Sequence, residues 1–320
     1  MVALPEIQSE TSAAIERAWA EAQVPHDDAT LRASKIGDPC DRRLWFGFRW
    51  AHAPERHSGR ALRIFETGNI EEDRLVEDLR RIGCHVDATD PETGEQYEVS
   101  FLAGHFTGHT DGEVEGVPEA PKTRHLLECK THNDKSFKEL KRLKVREAKP
   151  MHFAQMQIYM HGRALTRALY VAVNKNDDEI YTERVEYDPA FALAVLARAE
   201  RLIRSDKAPA RIVESLADKM AWQCTFCPAK AVCHDGALPR RTCRTCIHAT
   251  PEMDGSGRWS CVRHLIQSLS PDQQRQGCPN HLYLPDLVPG EQVDADPVAE
   301  TITYRFADGG TWVDGGRAAA

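Results

Sequence analysis

A chain of 320 residues is long enough for about two average domains, and 41% hydrophobic residues suffice for a real core, which excludes a disordered tail or a peptide scaffold. Lys and Arg total 41 against 49 Asp and Glu, a formal charge of -8 that excludes a uniformly basic nucleic-acid coat and permits a local basic groove. No stretch approaches the ~18 consecutive apolar residues of a membrane helix, and the opening MVALPEIQSE has no basic region ahead of an apolar one. The expected setting is cytoplasmic, with no membrane partner.

In chain order, residues 1–35 hold a helical pattern, TSAAIERAWAEA, that carries no chemistry. A longer helix is predicted over 60–82, where Leu62, Phe65, Ile70, Leu75 and Leu79 recur at mostly helical intervals and Gly83 is placed to end it. Strands are predicted at 85–88, 96–103, 108–114 and 125–131, separated by the turn signals DPETGE and GVPEAP. A helix over 149–163, an apolar strand at 167–174, its alternating partner at 179–186 and a helix over 189–205 complete a mixed α/β core. From about Ala221 the composition shifts to Cys, His, Arg and Gly, so metal is expected to replace hydrophobic burial there. The predicted division is a helical segment at 1–35, an α/β domain at 36–238, a metal-binding module at 239–284, and an acidic linker with a terminal hairpin around Asp308-Gly309-Gly310 at 285–320.

Chemistry is concentrated on two adjacent predicted strands. Asp111 lies in GHTDGEVEG, and LLECKT follows with Glu128 and Lys130 on one face and Leu127 and Cys129 on the other. Two acids and a lysine in one place can hold a divalent cation through carboxylate oxygens, with the ammonium near an attacking water, which is phosphodiester-cleaving chemistry. In the next helix, KPMHFAQMQIYMHG, Gln155 and Tyr159 are four residues apart and share a face. Between residues 122 and 149, ten Lys and Arg stand against four Asp and Glu, a patch suited to phosphate without reading sequence.

This series resembles the PD-(D/E)XK nucleases of the RecB type, including the CRISPR adaptation-associated nucleases, the AddB nuclease domain and the phage recombination exonucleases: Asp111, then Glu128-Cys129-Lys130, then Gln155-xxx-Tyr159. The resemblance covers about Cys40 to Cys233. It implies Mg2+ or Mn2+ ligated by Asp111 and Glu128 with the Cys129 carbonyl, Lys130 as the catalytic lysine, and Gln155 and Tyr159 positioning DNA or the lysine. On the earlier helix the family often has a Gly followed by His or Glu; here the segment is Gly68-Asn69-Ile70-Glu71-Glu72, which makes Glu72 the further ligand and Glu71 the fallback.

Six of the ten cysteines fall between Cys224 and Cys261, a clustering that in a cytosolic chain points to metal rather than disulfides. By spacing alone, Cys224, Cys227, Cys243 and Cys246 read as a zinc ribbon. The resemblance implies a different allocation: a 4Fe-4S cluster on Cys40, Cys224, Cys227 and Cys233 that ties together the two ends of the nuclease domain. Cys243, Cys246, Cys261 and Cys278 then remain as a second set of four for Zn2+, in which His248, His264 or His281 can replace one thiolate. Cys84 and the Cys129 side chain are expected as small buried groups.

The fold expected is thus α/β, a PD-(D/E)XK restriction-endonuclease-like core with a cysteine-rich C-terminal metal-binding module. The expected activity is metal-dependent hydrolysis of DNA, as an exonuclease in phage or bacterial recombination and repair, with a single-strand annealing or recombination protein as a partner. A noncatalytic zinc-dependent nucleic-acid-binding protein and a CRISPR spacer-processing nuclease are the alternatives.

Overall fold

The computed structural model describes residues 9–316; the first eight residues of the segment at 1–35 and the last four of that at 285–320 lie outside them. The chain begins with α1 (Glu10–Ala22), the short strand β1 (Leu31–Arg32), α2 (Asp41–Phe48) and the long α3 (Gly59–Arg81). Ser58 starts α3 by accepting the Ala61 N–H at 3.2 Å, and Arg80 and Arg81 sit in the last turn, where the helix dipole favours cations. The apolar spacing of α3 points Phe65 and Ile70 inward, yet they are 51% and 58% exposed. Leu75, Val76 and Leu79 in the C-terminal half are the α3 side chains that join the core cluster beneath this helix.

Then come β2 (His85–Asp87), β3 (Glu98–Phe101), β4 (Phe106–His109), β5 (Glu113–Glu115) and β6 (His125–His132), followed by α4 (Asp134–Ala148), α5 (Pro150–Arg163), β7 (Arg167–Asn174), β8 (Ile180–Glu186) and α6 (Pro189–Arg204). Strands β2, β5, β6, β7 and β8 form one sheet in that order, and β1, β4 and β3 form a second. Only the β6/β7 pair in the larger sheet is parallel, and α4 and α5 supply the crossover such a pair requires. Central position explains why Leu126, Leu127, Glu128 and Cys129 of β6 are all buried, on both faces.

The strand expected over 108–114 is instead divided between the two sheets. Asp111 and Gly112 form the passage from β4 to β5, and Gly112 adopts φ +132°, where a Cβ would stand 2.7 Å from the Asp87 carbonyl oxygen. The basic run contains α4, which breaks at Lys144 (φ 67°); beyond the break the Val145 N–H donates to Glu183 Oε2 at 3.0 Å.

The C-terminal third adds α7 (Trp222–Thr225), α8 (Lys230–Cys233), a hairpin of β9 (Ala249–Pro251) and β10 (Trp259–Cys261), α9 (Pro271–Gln276) and a three-stranded sheet of β11 (Glu291–Asp296), β12 (Thr301–Arg305) and β13 (Thr311–Gly315). The hairpin expected around Asp308 is the β12/β13 pair. The expected linker differs: its EQVDAD stretch is β11, exposed along its whole length and held by backbone pairing to β12 rather than by burial.

Residues 239–284 do not carry a core of their own. Ala249, Trp259, Cys261 and Leu269 belong to the main core cluster, with members from Leu31 to Leu287. Two buried arginines join the parts. Arg244 donates to the carbonyls of Phe48 (3.1 Å) and Ala29 (2.8 Å) and stacks on Trp50 and Trp259 at 3.8 and 4.8 Å from the ring centroids. Arg49 donates to Ser205 O and Asp206, both at 2.8 Å, and lies 5.3 Å from the Trp259 centroid.

Candidate active site

The side chains of the acidic centre are placed by a strand, a loop and a helix. Alternation along β6 puts Glu128 and Lys130 on the face toward α5, while Leu127 and Cys129 join the core cluster on the α3 side. Asp111 enters from the β4/β5 passage and is locked by the Cys129 N–H, which donates to its Oδ2 at 2.9 Å. From α5, Gln155 Nε2 donates to Glu128 Oε2 at 3.2 Å, fixing the rotation of that carboxylate.

These groups converge on one cation supplied by the chain itself. Lys130 Nζ lies 2.5 Å from Glu128 Oε1, 3.3 Å from Asp111 Oδ2 and 2.9 Å from the Cys129 carbonyl oxygen. Burial works against the charge on Lys130, but Glu128 and Asp111 outweigh it and hold its pKa well above the ordinary lysine value. The side chain of Glu128 is fully buried, which pushes its pKa up to about 8; Lys130 opposes that rise and Asp111 and Glu72 add to it. Glu72 is raised to about 7, first by burial and then by Asp111. Asp111 adds to the rise of both Glu72 and Glu128, which marks a place short of positive charge.

Of the two glutamates on α3, Glu72 lines the cleft beside Lys130, whereas Glu71 pairs with Arg74 at 3.3 Å. Tyr159 is 2% exposed and reaches the same region, its pKa raised by burial and then by Glu128 and Asp111. Its ring fits because residue 108 is glycine: a Cβ there would stand 2.5 Å from Tyr159 Cε1.

Among the described residues no three of His, Cys, Asp and Glu are arranged to hold a metal ion. At the acidic centre the oxygens close on the Lys130 ammonium, a stand-in cation, and Glu128 Oε1 makes no aligned hydrogen bond despite its ion-pair contact. An oxygen donor set around a monovalent cation, with one buried lone-pair site unused, fits a hard divalent ion.

The eight clustered cysteines divide between two cavities. Cys40, Cys224, Cys227 and Cys233 line one, together with Arg42, Arg43, Arg211 and His234. Cys243, Cys246, Cys261 and Cys278 line the other with His248, His264 and His281. The four residues of the ribbon spacing are therefore shared between the two. All eight are free thiols, and Cys243 is pushed up to about 12 by burial and then by Cys246, Cys278 and Cys261. In neither cavity do the sulfurs close on a common point, so the thiol composition fits a thiolate-bound metal while the geometry alone does not form one.

Sequence reasoning passed over three residues at the end of the cleft. His132 continues the alternation of Glu128 and Lys130, His152 precedes Gln155 by one turn of α5, and Tyr170 on β7 lies 2.9 Å from each imidazole. The signals were present: position i+4 of the same strand face, and position i−3 of the same helix face.

No family model matches the chain, and no curated protein matches it. Among solved structures the chain is similar to the alkaline exonuclease LHK-Exo from Laribacter hongkongensis, at 14% identity and TM-score 0.38 over 58% of this chain and 90% of that one. LHK-Exo in complex with dAMP gives 16% identity and TM-score 0.39 over the same shares. A protein named SSO0001 gives 14% identity and TM-score 0.39 over 71% of this chain and 98% of that one. At these values nothing is carried from them to the residues of the site. Among the described residues no helix is long and apolar enough to cross a membrane.

Proposed function

We propose that the chain is a divalent-metal-dependent deoxyribonuclease that hydrolyses phosphodiester bonds at DNA ends, acting in recombination or repair. The observation that carries this reading is the convergence of Asp111, Glu128 and the Cys129 carbonyl on the Lys130 ammonium at the edge of an open cleft. Asp111, Glu128 and the Cys129 carbonyl, with Glu72 as a further carboxylate, would hold Mg2+ or Mn2+, which polarises a phosphate and lowers the pKa of water. Lys130 supplies a positive charge where the phosphoryl oxygens gain negative charge. Gln155 holds Glu128 in one orientation, and the buried Tyr159 keeps water from that side of the site. Along α4, Lys135, Lys138, Lys141, Arg142 and Lys144 are exposed and offer phosphate contacts beyond the reacting one.

The reading extends to the cysteine cavities, with a 4Fe-4S cluster on Cys40, Cys224, Cys227 and Cys233 and Zn2+ on Cys243, Cys246, Cys261 and Cys278. Their division between two cavities favours this allocation over the ribbon. A noncatalytic scaffold is disfavoured because a fully buried carboxylate is costly to keep without a use.

End-labelled linear DNA and closed circular DNA, each with and without Mg2+, test the proposal. Mg2+-dependent loss of the linear substrate alone is the expected result. Cleavage of both forms overturns action at ends, and cleavage of neither overturns the nuclease reading.

A further inference from the structure

The cleft beyond Lys130 contains polar side chains that the acidic centre does not use. His132 Nδ1 lies 3.0 Å from Ser136 Oγ in the first turn of α4, and its Nε2 lies 2.9 Å from Tyr170 Oη. His152 Nδ1 lies 2.9 Å from the same hydroxyl. Tyr170 has one proton to give, so its hydroxyl donates to one imidazole and accepts an N–H from the other. A continuous hydrogen-bonded chain from Ser136 through His132 and Tyr170 to His152 therefore fixes both rings across α4, β6, β7 and α5. Burial first, and then neighbouring lysines, hold His132 down to about 4 and His152 down to about 3, so both are neutral near pH 7.

The formal positive charge at this end comes from Lys149, at the junction of α4 and α5. Its side chain is 14% exposed and lines the cleft with Asn69, Thr131, Ser136 and His152. Glu139 pairs with it at 3.3 Å but is half exposed, so water screens that pair. Glu72 is the one carboxylate lining the cleft, and it stands beside Lys130. An ammonium held in a cleft among hydroxyl, amide and neutral imidazole groups is a donor set for an oxyanion.

We propose that this cleft binds a second phosphate group of the DNA, beside the one at the acidic centre, with Lys149 as its cation and Thr131 and His152 as neutral donors, Tyr170 donating to His152 Nδ1 so that the Nε2–H is left for the phosphate. The inference rests on the nuclease reading for its ligand. Ser136, His132 and Tyr170 are positioning residues: Ser136 donates to His132 Nδ1, the His132 Nε2–H donates to Tyr170, and the chain holds His152 toward the cleft. The phosphate belongs either to the next internal phosphodiester or to the strand's terminus, and the chemistry of the cleft accepts both.

The test is binding of a labelled single-stranded oligonucleotide by the full chain, with Ca2+ in place of Mg2+, across a salt series. Losing one phosphate contact lowers the slope of log affinity against log salt by about 0.7 for a single strand. Lys149→Met is expected to show that change and about tenfold weaker binding, while Lys149→Arg retains the wild-type slope. Ser136→Ala and His152→Gln are expected to weaken binding with the slope unchanged, because they remove no charge. Repeating the Lys149→Met measurement on strands with a 5′-phosphate or a 5′-hydroxyl separates the two sources: an equal loss on both assigns an internal phosphate, and a loss confined to the phosphorylated strand assigns the terminal one. A folded Lys149→Met protein with wild-type affinity and slope overturns the cleft assignment. If that wild type nevertheless cleaves DNA in Mg2+, the nuclease reading stands; if the wild type neither binds nor cleaves DNA, both fail.

Discussion

The acidic centre and the two cysteine cavities solve the same electrostatic problem in opposite ways. In the acidic centre, mutually repelling oxygens are gathered around a cation that the chain carries on the same strand, so Asp111, Glu128 and Lys130 contact one another directly. Among the described residues no lysine lines either cysteine cavity, although Arg43 Nε donates to Cys227 Sγ at 3.4 Å in one of them. Burial raises Cys40, Cys224, Cys246 and Cys243, the last to about 12, and the thiols line a space without closing it. A site with its own counter-ion is preorganised, whereas on the proposal above the thiols would bind a metal by giving up their protons to it.

The sharpest way to break this comparison is to remove a member of the preorganised set. Glu128→Ala, Asp111→Ala and Lys130→Ala are each expected to lower Mg2+-dependent cleavage on the order of a thousandfold, about 4 kcal/mol of transition-state stabilisation, while circular dichroism stays native. Wild-type cleavage by a folded Glu128→Ala protein removes the assignment. In the cysteine cavities the expected loss is of metal. Cys40→Ser should lower iron and leave zinc, Cys243→Ser should lower zinc and leave iron, and elemental analysis of both variants decides. Joint loss of both metals from either variant would show a single shared site.

The seam between the two regions comes next in size. Arg244→Met leaves the buried carbonyl of Phe48 without its donor and removes the part-buried bond to Ala29, at a cost of about 1–3 kcal/mol read by urea unfolding. A smaller and pH-dependent effect separates metal-free from metal-loaded protein. Glu72 and Glu128 have folded values of about 7 and about 8, above their unfolded ones, so the folded state binds more protons than the unfolded state between the two. Their contribution to stability is full below about pH 4.5 and is lost as pH rises through 7 and 8. Added Mg2+ should offset that alkaline loss, and melting temperature against pH with and without the ion measures it. The smallest effect belongs to α3, where Ile70→Gln is expected to change stability by less than about 0.5 kcal/mol because Ile70 is exposed.

What was legible in the chain was local. Alternation correctly separated Glu128 and Lys130 from Leu127 and Cys129, because a strand side chain's face follows from position alone. The bounds of β7 matched its apolar run, while α5 starts at Pro150, one residue after the expected 149, where a proline suits the first helical position. Asp111 was harder, since its position depends on a strand that leaves one sheet for another at Gly112, a tertiary event with no local period. His132, His152 and Tyr170 sit on three different elements, and nothing in their spacing links them before β6 and β7 pair. Phe65 and Ile70 obey a helical period and remain exposed, because periodicity defines a face without stating how far along the helix a partner extends.

The seam built by Arg49, Arg244 and Trp259 also bears on how the chain is made. Arg49 emerges from the ribosome long before the aromatic ring that covers it, and at about 5–20 residues per second the delay to Trp259 is roughly 10 to 40 seconds. Throughout that interval the nascent α/β body carries the Arg49 guanidinium and the open carbonyl of Phe48 on what will become interior surface. The newborn protein therefore presents a polar, incompletely closed flank that later chain must seal. A truncation before that segment would leave a permanently immature body, exposed to holdases and proteases, rather than a smaller stable enzyme.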